Sequence, residues 1–263
     1  MSTDSYFTRE GATIAYQYTG SGSPLGYAHG VFLSRDAVRR LGLFDFDLLG
    51  SGRRLLTYDQ RGHGESTGRP VATDYTFDNV GADLLGLLDA AGVDEPIDFA
   101  GSSYGVAAAL RAAVTAPERF RRLVLLIPPV AWESGPDQAR QWYTDTADRI
   151  EEIGPEAWRE EWAAAPPLPI FADYPKFDLT PQIPDPLLAP ILRGIGASDL
   201  PSPEELSELR VPTLIFTWET DPLHPVATAE RLRDLIPGAE LAVAASVADI
   251  QTWTPRTAEF VSP

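Results

Sequence analysis

Short apolar runs that alternate with longer helical patterns are the feature of this sequence that most restricts its fold. A segment at 12–20 alternates apolar and polar residues and ends on glycine, as an early antiparallel strand does. Continuous apolar runs, typical of strands covered on both faces, follow at 25–31, 54–62, 96–102, 123–129, 212–218 and 239–246. Helical patterns fill the gaps at 76–92, behind residue 103, and at 225–238. The alternation predicts an α/β protein with a mostly parallel central sheet and flanking helices.

This rhythm breaks between residues 131 and 209. The segment begins with helical patterns, continues with a proline-rich stretch at 165–186, and contains Trp132, Trp142, Trp158 and Trp162. We predict a core formed by residues 1–130 and 210–263, with 131–209 inserted between two core strands as a helical lid.

Composition narrows the classes of function. The chain of 263 residues contains no cysteine, which excludes disulfides, thiolate catalysis and cysteine-bound metals, and its three scattered histidines predict no metal site. A net charge of -17 argues against nucleic acid and anionic membrane as partners. No apolar run of about 20 residues and no secretion signal are visible, so we expect a cytoplasmic protein. The composition leaves the oligomeric state open, a homo-oligomer included.

The motif with most chemical content is Gly-Ser-Ser-Tyr-Gly at 101–105, a G-x-S-x-G pattern. It follows a predicted strand and opens a predicted helix, which is the context a nucleophile elbow requires. The tight turn projects the Ser103 hydroxyl outward and leaves the backbone N–H of Tyr104 at a helix N-terminus, where it can stabilise an oxyanion. The alternative interpretation is an ordinary glycine-rich turn between a strand and a helix.

Two more motifs precede it. His-Gly-Val-Phe at 29–32 follows the first core strand, and Asp-Gln-Arg-Gly-His-Gly-Glu-Ser at 59–66 follows the next. With these three motifs in this order and spacing, the chain resembles the α/β-hydrolase family over nearly its whole length. The resemblance implies that Ser103 is the nucleophile, that Val31 and Tyr104 supply the oxyanion hole, and that His29 and His63 brace loops. It implies a small-molecule substrate and no cofactor, and the junction at 26–36 lacks the G-x-G-x-x-G of dinucleotide-binding proteins.

The family's catalytic acid has a match in this sequence, but its catalytic base has none at the usual position. Trp-Glu-Thr-Asp-Pro at 218–222 matches the family's acid turn at three positions, so the resemblance assigns the acid to Asp221, with helix capping as the alternative. The family's base histidine follows the last strand, a position that falls at or near Ala248. No histidine follows His224. Without a base, a serine hydroxyl is a poor nucleophile at neutral pH.

Three explanations compete for the vacated position at Ala248. It can be an engineered substitution, although the glycines and proline of the family's turn are absent as well. His224 can have taken over the role of base, because triads are defined by geometry and not by order in the chain. The chain can also have lost hydrolysis altogether.

Two functions therefore stay open. The first is a serine-dependent hydrolase of a small ester, lactone or thioester, with Ser103, Asp221 and His224 as its catalytic residues. The second is a catalytically silent or non-hydrolytic protein that binds an apolar or aromatic molecule in the pocket under the lid.

Overall fold

A computed structural model describes residues 4–132 and 137–262 of this chain. Residues 1–3 and 263 of the predicted core, and 133–136 of the predicted lid, lie outside the described residues.

One twisted sheet forms the centre of the molecule. Its strands are β1 (Ser5–Arg9), β2 (Ala12–Gly20), β3 (Pro24–Ala28), β4 (Arg54–Tyr58), β5 (Ile97–Ser102), β6 (Phe120–Leu126), β7 (Thr213–Trp218) and β8 (Glu240–Ala244). Their order across the sheet is β1-β2-β4-β3-β5-β6-β7-β8. Only the β1–β2 and β2–β4 pairs are antiparallel among the described pairings. The prediction of a mostly parallel sheet in an α/β protein is confirmed.

Helices cover both faces of this sheet. They are α1 (Arg35–Leu41), α2 (Phe46–Gly50), α3 (Phe77–Ala90), α4 (Tyr104–Thr115), α5 (Asp137–Ile153), α6 (Pro155–Ala164), α7 (Leu188–Gly196), α8 (Pro203–Glu208), α9 (Val226–Leu235), α10 (Val247–Gln251) and α11 (Trp253–Phe260). Helix α3 buries Val80, Leu84, Leu87 and Leu88, the stripe that its sequence pattern predicts. No helix in the described ranges is long and apolar enough to cross a membrane.

The continuous apolar runs become the fully buried strands. Every residue of β3, β5 and β7 is buried, because helices pack on both faces there. Strand β1 is absent from the sequence-based prediction. It is an edge strand with mostly exposed side chains, so its sequence lacks the apolar alternation that identifies a half-buried strand.

The segment at 131–209 lies between β6 and β7 and contains α5, α6, α7 and α8. It does not form a core of its own: Tyr143, Trp158 and Ile191 belong to the same buried cluster as Leu84 and Leu110. Helix α7 is not predicted from its sequence, because Pro190 and two glycines interrupt the pattern. The structure accommodates Pro190 within the first turn of α7, where its missing N–H removes no helical hydrogen bond.

Candidate active site

Ser103 occupies the sharp turn between β5 and α4. Its backbone has φ 51° and ψ −111°, a conformation that L-residues rarely adopt. The Ser103 N–H donates a hydrogen bond of 2.9 Å to the carbonyl of Leu126 at the end of β6. The neighbouring strand therefore holds the strained residue in place, with its side chain at the carboxyl edge of the sheet.

The two glycines of the motif are required by packing. A Cβ on Gly101 would lie 2.3 Å from the carbonyl oxygen of Gly105, and a Cβ on Gly105 would lie 2.2 Å from that of Ala28. Both distances are far inside van der Waals contact. Helix α4 can approach β3 and β5 this closely only without side chains at these two positions.

Asp221 lies in the turn that follows β7. Its Oδ1 accepts hydrogen bonds from the N–H groups of Leu223, at 2.9 Å, and His224, at 3.1 Å. The carboxylate caps no helix: the residue before α9 is Pro225, and no side chain caps that end. Burial raises the pKa of Asp221, but the charge of a protonated His224 and the hydrogen bonds from His224 and Leu223 outweigh it. The pKa therefore lies below its ordinary value.

His224 bridges Asp221 and Ser103. Its Nδ1 lies 2.9 Å from Asp221 Oδ2, and its Nε2 lies 2.8 Å from Ser103 Oγ. A carboxylate can only accept, so Nδ1 carries the proton in the neutral ring and Nε2 is free to accept from the serine hydroxyl. The side chain of Asp221 is 2% exposed and that of His224 is 12% exposed, so the pair faces the interior of a cleft.

Val31 lines the same cavity as Ser103, and Tyr104 is the residue that follows the serine. Val31 follows Gly30, where a Cβ would lie 3.3 Å from Ser103 Cβ, and Tyr104 is the first residue of α4. Within the described part of the chain, neither N–H has a hydrogen-bond acceptor. Both are thus available to an oxygen atom bound next to Ser103.

The structure places Ala248 away from this group. It is an exposed residue of α10 and does not border the cavity that contains Ser103. From this part of the chain, Ile250 and Trp253 line the cavity instead. The indole of Trp253 stacks on Trp218 with ring centroids 6.2 Å apart. Aromatic side chains therefore pack against each other at this end of the sheet.

The two remaining histidines are fully buried and hydrogen-bonded to backbone. His29 Nε2 accepts from the N–H of Gln60, and His63 Nδ1 donates to the carbonyl of Arg61. Burial lowers the pKa of both rings, that of His63 to about 3 with a further contribution from His29. Both histidines are neutral at physiological pH. His29 connects the loop after β3 to the loop after β4, and His63 bonds within the loop after β4.

A cavity of about 560 Å³ opens above Ser103. The core and the 131–209 segment each contribute walls, and most of the lining is aromatic or aliphatic. Its aromatic members are Tyr27, Phe32, Phe44, Trp142, Tyr143, Trp162, Phe171, Phe177, Trp218 and Trp253. Sequence reasoning missed the lining contributed by Tyr27, Trp218 and Trp253. For Tyr27 and Trp218 the signal is an aromatic side chain at the end of a strand, whereas Trp253 begins α11 and has no such signal.

In the described residues, no group of three or more His, Cys, Asp or Glu side chains is arranged to hold a metal ion.

Known proteins share both the sequence pattern and the fold. A family profile described as alpha/beta hydrolase fold matches residues 24–250. The non-heme chloroperoxidase CPO-A1 of Kitasatospora aureofaciens is 30% identical over 251 residues, which cover 90% of this chain and 88% of that protein. The 3-oxoadipate enol-lactonase 1 of Acinetobacter baylyi is 25% identical, covering 87% of this chain and 83% of that protein. A crystal structure of a hydrolase from Pseudomonas aeruginosa PA01 superimposes with a TM-score of 0.81 at 23% identity, covering 99% and 98% of the two chains.

Proposed function

This chain belongs to the α/β-hydrolase fold family, and we propose that it is a serine-dependent hydrolase of a small ester, lactone or thioester. The observation that carries the proposal is the 2.8 Å contact between His224 Nε2 and Ser103 Oγ. In this proposal His224 is the base, Asp221 orients it, and Val31 and Tyr104 supply the oxyanion hole.

The acylation step follows from these contacts. Ser103 Oγ attacks the substrate carbonyl carbon while its proton passes to His224 Nε2. Ionised Asp221 stabilises the positive charge that forms on the ring, and its low pKa keeps it ionised near neutral pH. The N–H groups of Val31 and Tyr104 stabilise the negative oxygen of the tetrahedral intermediate. The alcohol or thiol then leaves with the proton from Nε2, and an acyl-Ser103 ester remains.

Deacylation repeats the sequence with water. His224 Nε2 accepts a proton from the water as its oxygen attacks the acyl carbon. The second tetrahedral intermediate collapses, Ser103 Oγ recovers the proton, and a carboxylic acid is released. No residue other than the same five is needed.

We further propose that residues 131–209 act as the lid of this site. Trp142, Tyr143 and Trp162 from α5 and α6, together with Leu168 and Phe171, line the same cavity as Ser103. Such a cover limits the water around the serine and binds the apolar part of a substrate.

Labelling with a fluorophosphonate tests the proposal, because the reagent reacts only with an activated serine. We expect a stoichiometric adduct, measured by intact mass spectrometry between pH 6 and 9, that is lost in Ser103→Ala and strongly reduced in His224→Ala. Buried Ser66→Ala, whose hydroxyl bonds to the Asp59 carbonyl, is the matched control and should label like the wild type. Failure of the wild type to label across this range would overturn the proposal.

The second candidate, binding of an apolar or aromatic molecule without turnover, rests on the aromatic lining of the cavity. It predicts ligand affinity that is equal in the wild type and in Ser103→Ala, with no fluorophosphonate adduct in either. Calorimetric titration with an aromatic ketone, measured beside the labelling, separates the two functions.

A further inference from the structure

Two hydroxyl groups interrupt the apolar inner wall of the cavity. Tyr27 lies near the end of β3 and Ser102 at the end of β5, which are adjacent parallel strands. Their oxygens are 3.0 Å apart, and both side chains are buried apart from the surface they present to the cavity. Neither side chain has a part in the proposed acylation or deacylation steps.

The hydrogen bond between the two hydroxyl groups does not use all of their donors and acceptors. Two hydroxyls carry two O–H donors, and one bond between them uses a single donor. In the part of the chain that the structure describes, neither hydroxyl has another hydrogen-bond partner. One O–H donor and several lone pairs therefore remain for a molecule inside the cavity. An unpaired hydroxyl is costly next to the rings of Phe44 and Phe46, whose centroids lie 5.2 and 4.9 Å from that of Tyr27.

The pair is close to the nucleophile. A Cβ on Gly30 would lie 3.3 Å from Ser103 Cβ and 3.7 Å from Ser102 Oγ, so both serines border the same point beside the oxyanion loop. A molecule bound with its carbonyl carbon at Ser103 therefore reaches Ser102 with a group only a few bonds away.

The charge of the cavity restricts what that group can be. No arginine or lysine is among the described residues that line it. Asp178 is exposed at the rim, and Asp221 is paired with His224. An anionic substituent would find no cation here and would face two carboxylates. Burial raises the pKa of Tyr27 to about 12, so its hydroxyl remains a neutral donor.

We propose that Tyr27 and Ser102 form a subsite that selects molecules with a neutral hydroxyl or carbonyl group on an apolar or aromatic body, and that the cavity disfavours carboxylates. As part of the substrate specificity of a hydrolase, the subsite rests on the proposed function. As a binding site, the subsite does not depend on that function, because recognition by the pair needs no turnover.

The test compares three probes of similar size: 4-phenylbutan-2-one, butylbenzene and 4-phenylbutanoate. Binding is followed by quenching of the tryptophans that line the cavity. The measured quantity is the ratio of the Kd of butylbenzene to that of the ketone, because a ratio cancels general changes in packing. We expect Tyr27→Phe and Ser102→Ala each to lower this ratio about 3- to 10-fold, the effect of one neutral hydrogen bond. Tyr58→Phe is the matched control, since it removes a buried tyrosine hydroxyl in neighbouring β4 that does not line the cavity.

The outcomes are distinct. A ratio unchanged in both Tyr27→Phe and Ser102→Ala overturns the subsite, and tighter binding of 4-phenylbutanoate than of the ketone overturns the preference for neutral molecules. A ratio that falls as expected in a protein that does not react with fluorophosphonate supports the subsite and rejects the hydrolase. A merely structural role for the pair would lower the Tm of both variants and leave the ratio unchanged.

Discussion

At the scale of single residues, the acid and the base share one turn. Asp221 binds the backbone N–H of His224 with one carboxylate oxygen and its ring with the other. The same carboxylate thus shapes the turn and aims the imidazole at Ser103. Three residues of separation are sufficient for this because the chain bends at Pro222 and Leu223.

Replacing His224 tests its proposed role directly. We expect His224→Ala to lower kcat/KM for a reactive ester by about 10⁴-fold or more, since a serine without its base keeps only the help of the oxyanion hole and binding. Steady-state hydrolysis of p-nitrophenyl butyrate measures it.

The position at Ala248 provides the companion experiment. We expect Ala248→His in the His224→Ala background to restore no activity, because residue 248 is exposed and outside the cavity. Recovery of kcat/KM in the double variant would contradict this placement and would return the base to the end of β8.

At the scale of elements, close approach of backbone determines the geometry of the elbow. We expect Gly105→Ala to lower the free energy of unfolding by about 3 kcal/mol, because its Cβ would meet the backbone of β3 at 2.2 Å. Urea denaturation measures the change. Gly50→Ala in α2 is the control, since its nearest neighbour would be a side-chain carbon at 3.8 Å. Equal stability of the two variants would show that α4 can move away from β3.

Phe32 connects the oxyanion loop to the proposed lid. Its φ of 69° is unusual for a bulky residue, and its carbonyl accepts a hydrogen bond of 2.8 Å from the N–H of Gln182. Its ring lies 6.3, 5.8 and 5.1 Å from the centroids of Trp142, Trp158 and Trp162. The aromatic contacts hold the residue next to Val31 in a strained conformation.

Weaker packing of residue 32 against the lid tryptophans should affect the reaction more than substrate binding. We expect Phe32→Leu to lower kcat about 10-fold with a smaller change in KM, because a displaced Val31 N–H stabilises the oxyanion less. Ester kinetics measure both constants. Phe177→Leu, which removes a ring stacked on Phe171 at 4.2 Å, is the comparison and should raise KM with little change in kcat. The reverse pattern in the two variants would contradict the coupling.

At the scale of the whole molecule, buried neutral histidines make the fold sensitive to acid. The pKa of His63 is about 3 in the folded chain, well below the value near 6.5 of an unfolded chain. Between these values the unfolded state binds a proton that the folded state does not. The contribution of His63 to stability is therefore complete above about pH 6.5 and is lost as the pH falls toward 3.

We expect His63→Asn to flatten the dependence of unfolding free energy on pH by about 1.4 kcal/mol per pH unit between pH 6 and 4. Urea denaturation of wild type and variant at several pH values measures both slopes. Parallel curves would mean that His63 is protonated in the folded protein.

Much of this architecture is readable from local patterns. Six continuous apolar runs and the alternating segment at 12–20 identify seven of the eight described strands, because burial on two faces or on one face restricts residue types locally. The glycines at 101 and 105 identify the elbow, because its tight packing excludes side chains there. The edge strand β1 and the proline-interrupted helix α7 are not readable, because their partners elsewhere in the chain stabilise them.

The chain order of seven of the strands, the serine in its tight turn and the acidic turn after β7 follow from the amino-acid sequence alone. The tertiary structure was needed to show that His224 meets a serine 121 residues earlier, that Ala248 is exposed outside the cavity, and that Tyr27 and Ser102 share a wall. Local patterns report which residues a backbone conformation tolerates. Distances between side chains on different strands depend on how the sheet twists and how the helices pack against it, and no local pattern contains that information.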